Sequence, residues 1–374
     1  MNGFYWIYLV MIAFLLGYTF CKTPENKRLV YYSSCGFLIL IFVLQDFSVS
    51  LDIGEYMRQW EIIPGLSFRQ MLTHKFEIGY VLLCWILERT FESDRVLLLV
   101  LGILILLPFC RFYEEETENP MIALMAFVAL GMYMHAIIFW RQLVAMAILT
   151  FSCRYLRNRK FLPFLLVVLI AMTFHKTAVV FLGLYILYRV PINKWFLLGC
   201  AGCTFILGLF GRPIIEFGIS VIYPRYSKIT LQRMGGETLL ALLWVVALLS
   251  YWLLKDRLSE DRIRIPFLMV LIGATLQPLC FTFFWWLRIV LFFRVALVPM
   301  TVLLYTELFC NKDNRVMVLL KQYLPGVHRN LLPLYGKKWF SVAAQLLLFG
   351  VLFVWYVSEL DGAVYRMVPI ICPW

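Results

Sequence analysis

The chain has 374 residues, of which 63% are hydrophobic and only 15% charged, with a formal net charge of +12. Soluble domains carry about a quarter of charged residues, so this composition excludes a soluble globular protein. The basic residues lie in segments between apolar runs, which suits membrane orientation better than nucleic-acid binding.

Apolar windows of about 15–20 residues recur along the whole chain, and that length can cross a bilayer. They predict a single all-α polytopic integral membrane domain over residues 1–374, with about 12–14 membrane helices including short or re-entrant ones. In chain order the windows are residues 4–20, 30–44, 78–87, 96–110, 121–138, 143–151, 161–174, 177–188, 195–210, 239–254, 265–285, 289–309 and 340–357.

Basic clusters predict the orientation of the chain. RYLRNRK at 154–160, KDRLSEDRIR at 255–264 and the segment 312–338 are expected in the cytoplasm. Counting windows onward from 154–160 places His175 and the loop 211–237 on the outer side.

Counting backward from the same cluster gives a conflict. The basic segment CKTPENKR also has a cytoplasmic composition, but five windows separate it from RYLRNRK, where an even number is required. One element between residues 30 and 151 is therefore expected to be re-entrant. The short helix after Glu77 and the region 121–151 are the two candidates.

Arg141 is the most informative residue of the apolar runs. Between residues 121 and 151 the strongly polar side chains are one histidine, Arg141 and Gln142. An arginine facing lipid there costs a few kcal/mol, so Arg141 is expected to face protein or a water-filled cavity with an anionic partner. Arg288 and Arg294 repeat the pattern in FFWWLRIVLFFRVALVPM.

The loop 211–237 is basic although it is predicted to lie outside. Its Arg225 and Arg233 are expected to close over an anion held by the buried arginines, unless the charge excess is a topological accident. No HExxH, DxD, GxSxG or P-loop pattern occurs, so the sequence predicts neither metal ligands nor a cofactor.

Three side chains are candidates for acid–base chemistry on the outer side. Asp52 and Tyr56 share one face of a helix because they are four residues apart. Glu77 precedes an apolar helix with Tyr80 one turn later, a position that the helix dipole favours for a carboxylate. His175 separates two short apolar segments, and the pKa of histidine suits proton transfer near neutral pH.

These motifs occur in a distinctive order: D-x-x-x-Y at 52–56, E-x-G-Y at 77–80, WRQLVAMAI around Arg141, and RNRKFLPFLLVVLIAMTFHKTAVV through His175. The order resembles the EpsG family of bacterial polysaccharide polymerases, relatives of the Wzy-type O-antigen and capsule polymerases. The resemblance implies a GT-C-like membrane glycosyltransferase that makes capsule, exopolysaccharide or O-antigen in the bacterial cytoplasmic membrane.

The donor and acceptor would then be oligosaccharide repeat units on undecaprenyl diphosphate at the outer face, and the reaction would need no metal or other cofactor. Membrane lipids and a chain-length regulator are further expected partners, and nucleic acid is not. The expected diphosphate- and glycan-binding residues are Arg141, Gln142, Arg288, Arg294, Arg225, Arg233, Tyr56 and Tyr80. The base is expected among His175, Asp52 and Glu77, with His175 favoured.

Two other functions fit the same residues. A lipid-linked oligosaccharide flippase would need a similar cationic groove, but no base, and should show two related halves. A membrane acyltransferase would use His175 as its base, although the accompanying acidic motif is missing.

Overall fold

The computed structural model describes residues 2–47, 50–222 and 236–360. Its regular elements there are helices, which confirms the all-α prediction. The first ten are α1 (Asn2–Phe20), α2 (Pro24–Val43), α3 (Leu51–Ile62), α4 (Phe68–Leu72), α5 (Ile78–Phe91), α6 (Asp94–Glu116), α7 (Pro120–Ala129), α8 (Met132–Ile138), α9 (Trp140–Thr150) and α10 (Cys153–Arg157). The others are α11 (Phe161–Met172), α12 (Leu182–Leu187), α13 (Lys194–Ile222), α14 (Glu237–Leu254), α15 (Asp261–Leu276), α16 (Leu287–Arg294), α17 (Leu297–Tyr305), α18 (Arg315–Tyr323), α19 (Pro325–Leu331) and α20 (Lys338–Leu360).

The apolar windows correspond to helices of unequal length. Within the described residues, six helices are long and apolar enough to cross a membrane, or seven if the bent pair α7–α8 forms one span. The chain is therefore a multi-pass membrane protein. Shorter apolar helices complete the bundle, and α11 packs on α9 and on the 3₁₀ turn that precedes α12.

The centre of the bundle is a broken span. Helices α7 and α8 meet at an angle of 61°. Gly131 lies at the break with a φ of 77°, a left-handed conformation that glycine adopts without steric cost. Every residue of α7 after Pro120 and every residue of α8 is buried, so this broken span forms the core around which α1, α17 and α20 pack.

Contacts between α2 and α6 show where the segment that joins these two helices begins and ends. Arg28 forms an ion pair of 3.1 Å with Glu114 at one end of these antiparallel helices. At the other end, Nη1 of Arg95 donates to the carbonyl oxygen of Val43 at 2.7 Å. The intervening segment with α3, α4 and α5 therefore leaves and rejoins the bundle at the same end. Both candidates for the re-entrant element, this excursion and the bent region 121–151, remain open, and the prediction of one such element stays a prediction.

The loops differ from their predicted limits. The outer loop expected to begin at residue 211 is still helical there, because α13 continues to Ile222. Arg212 and Glu216 pair at 2.9 Å one helical turn apart and support this extension. Arg225 and Arg233 lie outside the described residues. The basic segment 312–338 contains α18 and α19.

Candidate functional site

Five helical segments begin at one place, and each begins with a residue that the sequence singled out. Asp52 is the second residue of α3, and Glu77 immediately precedes α5. Arg141 and Arg288 are each the second residue of their helices, α9 and α16. His175 precedes the 3₁₀ turn Lys176–Phe181, which leads into α12. The starts of helices carry unpaired N–H groups and a partial positive charge, so their convergence favours an anion.

Glu77 joins three of these segments. One oxygen, Oε2, forms an ion pair with Nη1 of Arg141. The other, Oε1, accepts a hydrogen bond of 3.2 Å from the backbone N–H of Lys176 and lies 3.8 Å from Nδ1 of His175. The side chain is only 9% exposed, so this charge is held by protein groups rather than by bulk solvent.

Gly79 explains how Glu77 reaches this position. Its N–H donates to the carbonyl oxygen of Thr173 at 2.7 Å, which docks the start of α5 on the end of α11. A Cβ atom at Gly79 would lie 2.5 Å from Oγ1 and 2.8 Å from the carbonyl oxygen of Thr173. The close approach therefore requires the glycine of the E-x-G-Y motif.

Aromatic rings hold the guanidinium of Arg141. Its Cζ lies 4.1 Å from the ring centroid of Phe76 and 5.6 Å from that of Tyr56. Tyr56 stacks in turn on Trp140 with centroids 4.9 Å apart and an interplanar angle of 21°. Such cation–π contacts hold in place the guanidinium that pairs with Glu77.

Tyr56 and Tyr80 were predicted to bind substrate. Tyr56 is 4% exposed and Tyr80 is fully buried. Their rings lie 5.7 Å apart in the aromatic cluster beneath Arg141, where they support the arginine. A direct contact of either tyrosine with a glycan stays a prediction.

Arg288 forms the more exposed half of the site. Its Nη2 lies 2.9 Å from Oδ2 of Asp52, and the two side chains are 20% and 35% exposed. Its Cζ is 4.6 Å from the ring centroid of Trp285 and 5.3 Å from that of Phe139. Nε2 of Gln142 donates to the carbonyl oxygen of Arg288 at 2.6 Å and so ties α9 to α16.

Gln142 was predicted to bind substrate, and the structure gives it a positioning contact. The residue is 2% exposed, with its amide nitrogen used on the backbone of Arg288. Its Oε1 has no hydrogen-bond partner within the described part of the chain. Contact of Gln142 with substrate stays a prediction.

His175 is the acid–base candidate with free ring nitrogens. Within the described residues, neither Nδ1 nor Nε2 forms a hydrogen bond, although the residue is only 7% exposed. Its ring stacks on Phe292 with centroids 6.3 Å apart. The residue lies in the turn between two short helices. Burial lowers the pKa of His175, and the guanidinium groups of Arg141 and Arg288 lower this pKa further, so the neutral imidazole is favoured.

Arg294 lies in a different environment from Arg288. It is 2% exposed, and its Nη2 donates to the carbonyl oxygen of Leu130 at 3.1 Å, at the end of α7. A cation there stabilises the negative end of a broken helix. Arg294 therefore has a structural role at the break, and its predicted part in anion binding stays untested.

No group of three or more His, Cys, Asp or Glu side chains within the described ranges is arranged to hold a metal ion. The positive charges that the structure brings together here are the two guanidinium groups.

Sequence reasoning missed the rings and backbone groups that complete the site. Phe76, Phe139 and Trp285 flank the two arginines, and each is a close neighbour in sequence of a predicted residue. An aromatic residue near an intramembrane arginine is a signal that could have found Phe139 and Trp285, whereas Phe76 is next to Glu77 and has no arginine near it in the sequence. The N–H of Lys176 carries no such signal, because every residue but proline has one.

Comparison with known proteins gives one match. A family model described as the EpsG family matches residues 28–327, which is most of the chain and includes every described residue of the site. No curated protein and no solved structure matches the chain.

Proposed function

The chain belongs to the EpsG family of Wzy-like polysaccharide polymerases, and we propose from this premise that it joins lipid-linked glycan repeat units at the outer face of the bacterial cytoplasmic membrane. The donor is a glycan on undecaprenyl diphosphate, and the acceptor is a second lipid-linked unit. Each cycle transfers the donor glycan to a hydroxyl of the acceptor and releases the carrier diphosphate.

The convergence of Arg141 and Arg288 at two adjoining helix starts carries this proposal. The amide of Gln142 joins the two helix starts, and the guanidinium groups of both arginines lie close enough to His175 to lower its pKa. Guanidinium groups offer fixed, paired donors that match phosphate oxygens. A diphosphate leaving group gains negative charge as its bond breaks, and preorganised donors stabilise that charge.

While no substrate is bound, Asp52 forms an ion pair with Arg288, and Glu77 forms one with Arg141. The Asp52–Arg288 pair is partly exposed, so a diphosphate can replace this carboxylate at small cost. The Glu77–Arg141 pair is buried and keeps its geometry. We therefore assign the exchangeable anion position to Arg288 and a fixed supporting charge to Arg141.

His175 is the general base in this proposal. The acceptor oxygen attacks the anomeric carbon, the bond from that carbon to the diphosphate oxygen breaks, and the hydroxyl proton passes to Nε2 of His175. Glu77 lies beside the other nitrogen, Nδ1, at 3.8 Å, where it orients the ring and stabilises the imidazolium that forms. The neutral state that the surroundings favour is the state that can accept a proton.

Arg288 also supports a metal-independent reaction, because its guanidinium can supply positive charge that a divalent cation would otherwise bring to a diphosphate. A chelator tests this part separately. Polymerisation by the purified enzyme should continue in the presence of EDTA, and activity restored only by added Mg²⁺ or Mn²⁺ would contradict it.

Replacing His175 by alanine tests the proposal in cells. Loss of a general base costs about 10²–10⁴-fold in rate, so long polymer should disappear while single lipid-linked units still reach the cell surface. His328→Ala, a histidine of α19 away from the site, is the matched control and should leave chain length unchanged. Loss of the surface-displayed single units would indicate a flippase instead. Normal polymer length at normal protein abundance would exclude His175 as the base.

A further inference from the structure

A groove between the end of α1 and the start of α20 lies outside the candidate site. It has a volume of about 680 Å³ and is lined by Phe20, Lys337, Lys338, Trp339, Val342, Ala343 and Leu346. Its walls are apolar except for two lysines at one end. The hydrogen bond of 2.9 Å between Thr19 and Gln345 joins the two helices beside it, so the groove is built by elements in contact.

The exposure of its walls suits a hydrocarbon chain. Phe20 and Trp339 are each 57% exposed, and Leu346 is 45% exposed. Large apolar side chains at the end of a membrane helix normally contact lipid, and tryptophan prefers the level of the headgroups. The apolar walls continue down α20 from the lysines, which is the arrangement of a lipid tail below its headgroup.

The charges at the mouth favour an anion. Nζ of Lys338 lies 4.6 Å from the ring centroid of Phe20, a contact that fixes the ammonium at the rim. The segment that leads into the groove is strongly basic, because residues 312–338 contain Asp313 as their single acid against Lys312, Arg315, Lys321, Arg329, Lys337 and Lys338. Basic residues next to a membrane helix attract anionic lipid headgroups.

We propose that this groove binds one anionic phospholipid of the leaflet that adjoins the basic loops, with its phosphate on Lys337 and Lys338 and one acyl chain along Trp339 and Leu346. The site is separate from the residues proposed for glycan transfer, so it does not depend on that function.

Native mass spectrometry of the full-length protein, titrated with phosphatidylglycerol and with phosphatidylcholine, tests the proposal. Phosphatidylglycerol should bind more tightly, and Lys337→Gln with Lys338→Gln should weaken that binding about 10- to 30-fold, as expected for the loss of two lysines near a headgroup. The control pair Lys312→Gln with Lys321→Gln removes the same charge from the same segment but leaves the groove intact. An equal loss in the control would overturn the proposal, since general surface charge would then explain binding.

A second variant separates the lipid from a free anion. Ala343→Phe fills the groove and keeps both lysines, so it should also weaken phosphatidylglycerol binding. Unchanged lipid binding in this variant, or displacement of the lipid by inorganic phosphate, would show an anion site without a place for the acyl chain. Equal binding of phosphatidylcholine would show that the groove binds lipids without selecting an anionic headgroup. Each of these results contradicts the proposal.

Discussion

The carboxylate of Glu77 lies 3.8 Å from Nδ1 of His175 although 98 residues separate them in the sequence. Each residue immediately precedes a helical segment, and the hydrogen bond from the N–H of Lys176 to Glu77 holds the two starts together. In the proposed reaction, Nε2 of His175 accepts the proton of the acceptor hydroxyl. The pairing with Glu77 makes the protonation of His175 dependent on its charged neighbours.

The pH dependence of the reaction should reflect these neighbours. Burial and the two arginines lower the pKa of His175 below its ordinary value of about 6.5. A base with a lowered pKa stays neutral to a lower pH, so the initial rate should not decline as the pH falls through about 6.5. Arg141→Gln removes one source of the shift, so the acid limb of its pH–rate profile should move to higher pH. Identical acid limbs for the two proteins would assign the titration to another group.

Glu77→Gln tests the role of the negative charge of Glu77, because the substitution keeps the size of the side chain. The amide keeps the size of the side chain and an oxygen for the N–H of Lys176, but it loses the charge that faces Arg141 and His175. The kcat should fall by about 10–10²-fold with little change in donor KM, because the imidazolium loses its stabilising carboxylate. Glu55→Gln, in a surface ion pair with Arg58 on α3, is the control and should leave kcat unaffected. A raised KM with normal kcat would instead place Glu77 in substrate binding.

Substitutions of Arg288 and of Asp52 should change the donor KM in opposite directions. Arg288→Lys should raise the donor KM about tenfold or more, because a single ammonium replaces a planar donor pair. Asp52→Asn should lower the donor KM by up to about fivefold, since the diphosphate no longer competes with a carboxylate in a partly exposed pair. A higher KM for Asp52→Asn would show that this carboxylate binds the glycan itself.

Gly79→Ala should displace the carboxylate of Glu77 from its position beside His175. The added Cβ overlaps backbone atoms of Thr173, so the start of α5 must move and carry Glu77 away from His175. We expect a loss of about 1–3 kcal/mol in the free energy of unfolding, together with a fall in kcat. Gly54→Ala, a glycine of α3 with open space around it, should be neutral or stabilising by up to about 1 kcal/mol. Thermal unfolding in detergent and initial rates measure both effects, and equal behaviour of the two variants would exclude a close approach at Gly79.

The sequence singled out five candidate residues that the fold brings together, but it did not predict their contacts. Glu77, Arg141, His175 and Arg288 were recognisable because each is polar within or beside an apolar run, and Asp52 because of its spacing from Tyr56. Their pairing was not, because it depends on which helix ends meet in the folded bundle. No local pattern links residues that are 64 or 236 positions apart, as in the pairs Arg141–Glu77 and Arg288–Asp52.

Arg288 and Arg294 show most clearly that contacts cannot be predicted from the local sequence. Both lie in the same apolar stretch with similar neighbours, yet one pairs with Asp52 and the other donates to Leu130. The difference arises from the break at Gly131, which leaves the carbonyl end of α7 facing Arg294. The periodicity of a sequence predicts which residues share one face of a helix. It does not predict which carbonyl groups of another helix those residues will contact.

The assembly of five helix starts has a consequence for biosynthesis. The contacts of Arg288 with Asp52 and Gln142 span 236 and 146 residues, so they can form only after α16 has been inserted in the membrane. A growing chain that ends before residue 288 has Glu77, Arg141 and His175 but lacks the exchangeable arginine. Long-range contacts of this kind form late in folding. Under the proposed function, a chain that ends before residue 288 is therefore expected to be inactive as a polymerase.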